Sequence, residues 1–198
     1  MALGVGPGDE VITVANTAVP TVSAIRMVRA TPVFADVDPE TSLMDLSLVP
    51  GLITSKTRAI IPVHLFGNAV NMPLLLDIAR PYNIPVVEDC AEREGINSRL
   101  DEVQATASNI EHAYHLFVVR SKERNALRAA LASHNIQTGI HYPFPIHRMR
   151  GYTVLGYQDQ SLPITETLAN EIVSLPLYPE LPLESAHRVL DTLHEILD

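Results

Sequence analysis

The chain is poor in lysine, cysteine and tryptophan. Its 198 residues include only two lysines, Lys56 and Lys122, one cysteine, Cys90, and no tryptophan. One cysteine forms no internal disulfide, so a reducing compartment fits. Basic runs are also missing. The formal net charge is −9, which argues against nucleic-acid binding through phosphate neutralisation. No apolar stretch approaches membrane-spanning length, and no charged-then-apolar leader pattern opens the chain. A soluble cytoplasmic protein with neither nucleic-acid nor membrane partners is the expectation. Neither a G-x-S-x-G elbow nor a P-loop occurs. The cluster Gly4-Val5-Gly6-Pro7-Gly8 offers G-x-G, but no strand precedes it, and Pro7 spoils a phosphate-cradling loop.

What the chain does have is apolar surface to bury. Hydrophobic residues make up 46% of it, and the mean hydropathy is +0.13, enough for a sizeable core. The apolar residues recur with alternating periods. Strands are predicted over 10–15, 31–37, 58–65 and 84–90, with helices over 19–29, 45–53 and 72–80. Thr17 or Thr21 is a possible cap for the first helix. Strand–helix alternation implies a parallel sheet with right-handed crossovers. A short helix is expected over 97–105. From His112 a small α+β unit follows: strands over 114–120 and 138–142, a helix capped by Ser121 and running to His134, and helices over 165–173 and 183–197. Three segments result: 1–92 as a partial large domain, 93–111 as an interdomain remnant, and 112–198 as a small carboxyl-terminal domain.

The chemistry centres on Ile84-Pro85-Val86-Val87-Glu88-Asp89-Cys90-Ala91-Glu92. Four apolar residues before two carboxylates read as a strand buried on both faces, with Asp89 emerging at its carboxyl end. In open α/β sheets ligands bind at that edge. A carboxylate there either caps the following helix or pairs with a cationic ring nitrogen. Cys90, beside two acids, lacks the positive surroundings that activate a thiol, so core packing is its expected role. His64 ends a strand and is expected to bond backbone in the loop before Gly67. The pair His112 and His115 falls in an extended stretch, where residues three apart face opposite ways. His141 and His147 have no carboxylate or cysteine at a metal-ligand spacing. No metal site is expected.

Ordered blocks then carry a resemblance. Gly8-Asp9-Glu10-Val11-Ile12, Thr31-Pro32-Val33-Phe34-Ala35-Asp36-Val37-Asp38-Pro39, Arg58-Ala59-Ile60-Ile61-Pro62-Val63-His64-Leu65-Phe66-Gly67 and Val86-Val87-Glu88-Asp89-Cys90-Ala91 follow one another. Gly95-Ile96-Asn97-Ser98-Arg99, Tyr114-His115-Leu116-Phe117-Val118-Val119-Arg120, Thr138-Gly139-Ile140-His141-Tyr142-Pro143 and Ser174-Leu175-Pro176 come after them. In this order they resemble the DegT/DnrJ/StrS sugar aminotransferases. The resemblance implies an aspartate-aminotransferase-like α/β fold (type I of the pyridoxal-phosphate enzymes), with a truncated parallel-sheet large domain and a small α+β domain. It implies pyridoxal phosphate as cofactor, a nucleotide-linked keto-sugar as substrate, glutamate as amino donor and a homodimer. It assigns Asp89 to the pyridinium nitrogen, Glu92 to the neighbourhood of the phenolic oxygen, where the family commonly has glutamine, and Asn97 to the phosphate of the neighbouring subunit's cofactor. His141 and Tyr142 would face the substrate. Ala18 stands where an aromatic residue usually stacks on the ring.

The larger departures from the family pattern, beyond those at Glu92 and Ala18, are missing blocks. In the family, tens of residues separate the block ending in Ala91 from the block opening at Gly95, and they contain the lysine that carries the cofactor. Here the two blocks nearly touch. A second stretch is missing between Ala105 and His112, and so is the amino-terminal phosphate-binding turn. Neither Lys56 nor Lys122 sits in a matching motif, and both are expected at the surface. The expected function is therefore the family's transamination with an impaired catalytic centre. The alternative is a non-catalytic module that binds nucleotide-sugars or dimerises.

Overall fold

The computed structural model describes residues 3–91, 116–157, 161–178 and 180–197. The expected helix over 97–105, and with it Glu92 and Asn97, lies outside the described residues.

A three-stranded parallel sheet forms the amino-terminal half. Its order is β2 (Thr31–Ala35), β1 (Glu10–Val14), β3 (Thr57–Ile60). The central strand is covered on both faces, which its apolar run requires: Val11, Ile12 and Val14 are all buried. Helix α1 (Val19–Met27) crosses from β1 to β2. Pro20 fits its first turn, where no intrahelical donor is lost. Neither expected threonine caps it: Ala18 is the cap residue, without a side-chain bond. The short helix α2 is Val49–Leu52 rather than 45–53, because Asp45 turns the chain instead, accepting from the Ser47 N–H and hydroxyl. Helix α3 (Met72–Ala79) starts at Asn71, whose side chain accepts from the Leu74 N–H.

The run 84–90 lies parallel to β3 as a fourth, irregular strand. Ile60 N–H donates to Pro85 C=O, Val87 N–H to Ile60 C=O, Asp89 N–H to Pro62 C=O and His64 N–H to Asp89 C=O. One rung is missing because Pro62 has no N–H to offer the Val87 carbonyl. The expectation of burial on both faces fails. Val87 is 44% exposed and Glu88 is exposed. The outward N–H and C=O groups of Val86 and Glu88 bond no described residue, so among the described residues this run is the sheet's open edge. Cys90 is likewise half-buried rather than core.

The carboxyl-terminal half holds an antiparallel pair, β4 (Phe117–Arg120) with β5 (Ile172–Leu175). Helix α4 (Arg124–Ser133) has Glu123 as its cap residue rather than Ser121, whose N–H donates to Glu171 C=O. Helices α5 (Pro163–Glu171) and α6 (Leu183–Leu197) complete it. The expected helix over 165–173 runs too far: Ile172 and Val173 begin β5, as two β-branched residues bonded to β4. The expected strand over 138–142 is a single bridge, Gly139 to Ser174.

The halves share one core. Leu168 and Ile172 pack among Ile12, Ile60, Val63 and Leu75. Ile146 and Leu162 join Ala15, Val22 and Phe34. Polar joints reinforce this. Asp36, just past β2, accepts from the N–H groups of Ile164 and Thr165 and from the Thr165 hydroxyl at the start of α5. Ile146 N–H donates to Ala15 C=O, and the Tyr157 hydroxyl accepts from Phe34 N–H.

Candidate functional site

Parallel strands bring their carboxyl ends to one edge, and Asp89 stands there. Its backbone is bonded on both sides of the peptide to the stretch following β3. Its carboxylate takes one donor on each oxygen. Thr21 Oγ1–H, from the first turn of α1, donates to Oδ2, and Ala91 N–H donates to Oδ1 at 3.3 Å. Asp89 accepts a local amide, as a cap does, and is also held by a side chain distant in sequence. Ala18, half-buried, precedes the same helix turn.

Glu88 points to the other side of the strand. Its Oε2 lies 2.9 Å from His64 Nε2, and His64 Nδ1 accepts from the Val70 N–H at 3.0 Å. His64 is fully buried. Because Nδ1 is an acceptor, the neutral ring carries its proton on Nε2 and gives it to Glu88. His64, Glu88 and Cys90 offer donor atoms within 4.8 Å of one another, but this tautomer leaves no free lone pair on the nitrogen that faces the carboxylate. The backbone bond expected of His64 is present, at Val70 rather than before Gly67.

The other candidates stand elsewhere. His141 is half-buried, and its Nδ1 is 2.8 Å from Ser174 Oγ on β5. Tyr142 packs at the margin of the main core. The carboxylate bonds of Asp89 go to Thr21 and Ala91 rather than to either of them. His147, given no partner by sequence spacing, is buried and has one in Glu166, at 3.0 Å across 19 residues of chain. Lys56 and Lys122 are both exposed. Lys56 precedes β3 at the amino end of the sheet, where Glu10 N–H bonds its carbonyl. Asp89 lies past the carboxyl end, so at a rise of about 3.3 Å per residue the two are roughly 20 Å apart. Thr21 was visible in the sequence only as a possible cap. Its partner lies 68 residues away, a pairing that no local pattern reveals.

The family model described as the DegT/DnrJ/EryC1/StrS aminotransferase family matches residues 1–99 and 94–194. The dTDP-3-amino-3,4,6-trideoxy-alpha-D-glucose transaminase of Micromonospora megalomicea subsp. nigra is 30% identical over 302 alignment positions, which take in 99% of this chain and 81% of that protein. The dTDP-3-amino-3,6-dideoxy-alpha-D-galactopyranose transaminase of Aneurinibacillus thermoaerophilus is 29% identical, over 98% of this chain and 80% of that protein. Among solved structures, S. venezuelae DesV in complex with a ketimine intermediate superposes with a TM-score of 0.87 at 25% identity, covering 98% of this chain and 79% of that one. The ntda protein of Bacillus subtilis with bound cofactor pmp gives 0.86 at 21% identity, over 98% of this chain and 69% of that one, a likeness of fold. An alignment of 302 positions against 198 residues means that many positions inside the aligned region of the first relative face no residue of this chain. The fold is the aspartate-aminotransferase-like α/β fold, and the chain belongs to the DegT/DnrJ/EryC1/StrS aminotransferase family.

Proposed function

We propose that this chain binds pyridoxal phosphate without covalent attachment, and that it descends from enzymes that transaminate nucleotide-linked keto-sugars with glutamate as donor, as homodimers in the cytoplasm. The observation that carries the reading is Asp89, a carboxylate at the carboxyl edge of a parallel sheet with a donor on each oxygen. It fits the ring-nitrogen side of the cofactor. An anionic acceptor there keeps a pyridine nitrogen protonated, and a protonated ring, when the group is bound, supplies the electron sink for amino transfer.

The covalent side does not fit. Lys56 and Lys122 are exposed, and Lys56 lies at the opposite end of the sheet from Asp89. Without a lysine beside the ring, no side chain of that type moves a proton between sugar carbon and cofactor carbon. The chain would hold and orient ligands but not turn them over at the family's rate. The seam between the two family-model matches, at residues 94–99, supports the same reading.

The test is titration with pyridoxal phosphate followed by borohydride reduction and peptide mapping. Saturable binding with no reduced lysine adduct is expected. A near-visible band that borohydride fixes on Lys56 or Lys122, together with steady transamination, refutes the impairment. No binding at millimolar cofactor refutes the cofactor reading. Calorimetric heat with a dTDP- or UDP-sugar, and none with pyridoxal phosphate, favours the non-catalytic nucleotide-sugar module instead.

A further inference from the structure

We infer that Thr21 is the positioning residue of the cofactor site: its hydroxyl fixes the orientation of the Asp89 carboxylate toward the ring nitrogen. This inference rests on the cofactor reading above. Asp89 has two sources of order. Its backbone is tied by Asp89 N–H to Pro62 C=O and by His64 N–H to Asp89 C=O, each 3.0 Å. Those bonds place Cα and leave the side-chain torsions open. The carboxylate itself is held by Ala91 N–H, a long bond of 3.3 Å within a local turn, and by the Thr21 hydroxyl. Among the described residues, only the long bond remains without Thr21.

Thr21 is well built for this. It is the third residue of α1, packed beside the buried Val22. A β-branched side chain on a helix has few χ1 choices, so its hydroxyl is preset rather than searching. The hydroxyl is free for Asp89 because α1 does not use it as a cap. It donates to Oδ2 and so presents that oxygen as an acceptor, and a carboxylate oxygen with a second lone pair still takes a ring N–H. Positioning of a charged acceptor by a second layer of hydrogen bonds typically governs how well a first-layer group serves its ligand.

The experiment compares wild type, Thr21→Val and Thr21→Ser. Each is titrated with pyridoxal phosphate and with its carbocyclic analogue lacking the ring nitrogen, with binding read by equilibrium dialysis. Thr21→Val should weaken pyridoxal phosphate about tenfold, the loss expected for one hydrogen bond to a charged group. Thr21→Ser should stay within about twofold. The nitrogen-free analogue should bind all three alike, and Thr21→Val should have no further effect in an Asp89→Asn background. Equal losses for both ligands would assign Thr21 a purely structural role in α1 and overturn the inference. So would unchanged pyridoxal-phosphate affinity in Thr21→Val, or a serine variant as weak as the valine one. Failure of the wild type to bind pyridoxal phosphate overturns the cofactor reading, and the inference with it. Wild-type binding with an indifferent Thr21→Val overturns the inference alone.

Discussion

Replacing Asp36 by alanine should loosen the joint between the two halves, and the cost follows from what Asp36 does. Helix α5 has Leu162 as its cap residue, which offers no side-chain bond. Its first residue, Pro163, has no N–H to satisfy. The next two N–H groups, of Ile164 and Thr165, both donate to Asp36, at 2.9 and 2.8 Å. The Thr165 hydroxyl adds a third bond, at 2.7 Å, and Thr165 is fully buried. Asp36 therefore does for α5 what a capping side chain would, from 129 residues away. Loss of a cap costs about 1–2 kcal/mol, and a buried donor left without a partner costs about 1–3 kcal/mol. Allowing water to reach the half-buried Ile164 N–H, the total is about 3 kcal/mol. With a urea slope of about 2 kcal/mol/M, the midpoint should fall by about 1.5 M. Asp36→Asn keeps the volume and one acceptor oxygen and should lose about half as much. A cycle with Thr165→Val should show a coupling of about 1 kcal/mol. Urea unfolding followed by circular dichroism measures all of this. A midpoint shift below about 0.3 M for the alanine variant, or strict additivity with Thr165→Val, would refute the capping argument.

Two further perturbations test other parts of the fold. Burial raises the Tyr157 phenol above its ordinary value of 10.0, against a lowering by the Phe34 N–H bond. The folded state therefore holds the proton more tightly than the unfolded chain. The resulting stability is complete below about pH 10 and lost as pH climbs toward the folded value. Thermal midpoints of wild type should drop more steeply than those of Tyr157→Phe above pH 10, and parallel curves would contradict this. At the open sheet edge, Val87→Lys places a charge where Val87 is 44% exposed, which should reduce self-association. Sedimentation velocity should show concentration-dependent oligomers for wild type and a shift toward monomer for the variant; identical distributions would argue against an edge-driven contact.

The large features were legible because they are local. Strand β1, helix α1, strand β2 and helix α3 follow from periodicity within a window of about a dozen residues. The family blocks were legible for the same reason, as runs of consecutive residues. What the sequence concealed depends on partners far along the chain. Ile172 and Val173 extend an apolar helical spacing, and only pairing with Val119 and Arg120 makes them a strand. Asp45, Asp36 and Thr21 are all residue types that favour helix starts. One makes a turn, one caps a helix from the other half, and one orients a carboxylate. The same hydrogen-bonding capacity serves all three, and the residue that comes within about 3 Å decides among them.

The same reasoning bears on Asp89. As a sequence pattern alone, an acid after an apolar run fits a cap, and only the family blocks around it point to a ligand group. The fold separates these uses by the second oxygen. A cap needs only the Ala91 amide. A hydroxyl brought from α1 to the other oxygen adds nothing to that turn, since it bonds no backbone group of it. It holds the carboxylate in one orientation and ties α1 to the sheet edge. Orientation matters when something outside the turn must meet that oxygen, which is what a ring nitrogen requires. Thus the feature that most favours a ligand role is the donor behind Asp89 rather than Asp89 itself. That donor remains in a chain where no lysine stands at a family motif. On the proposed reading, a nitrogen partner without the covalent anchor would leave a site suited to holding the ring, and the Thr21 comparison with the nitrogen-free analogue tests that capacity directly.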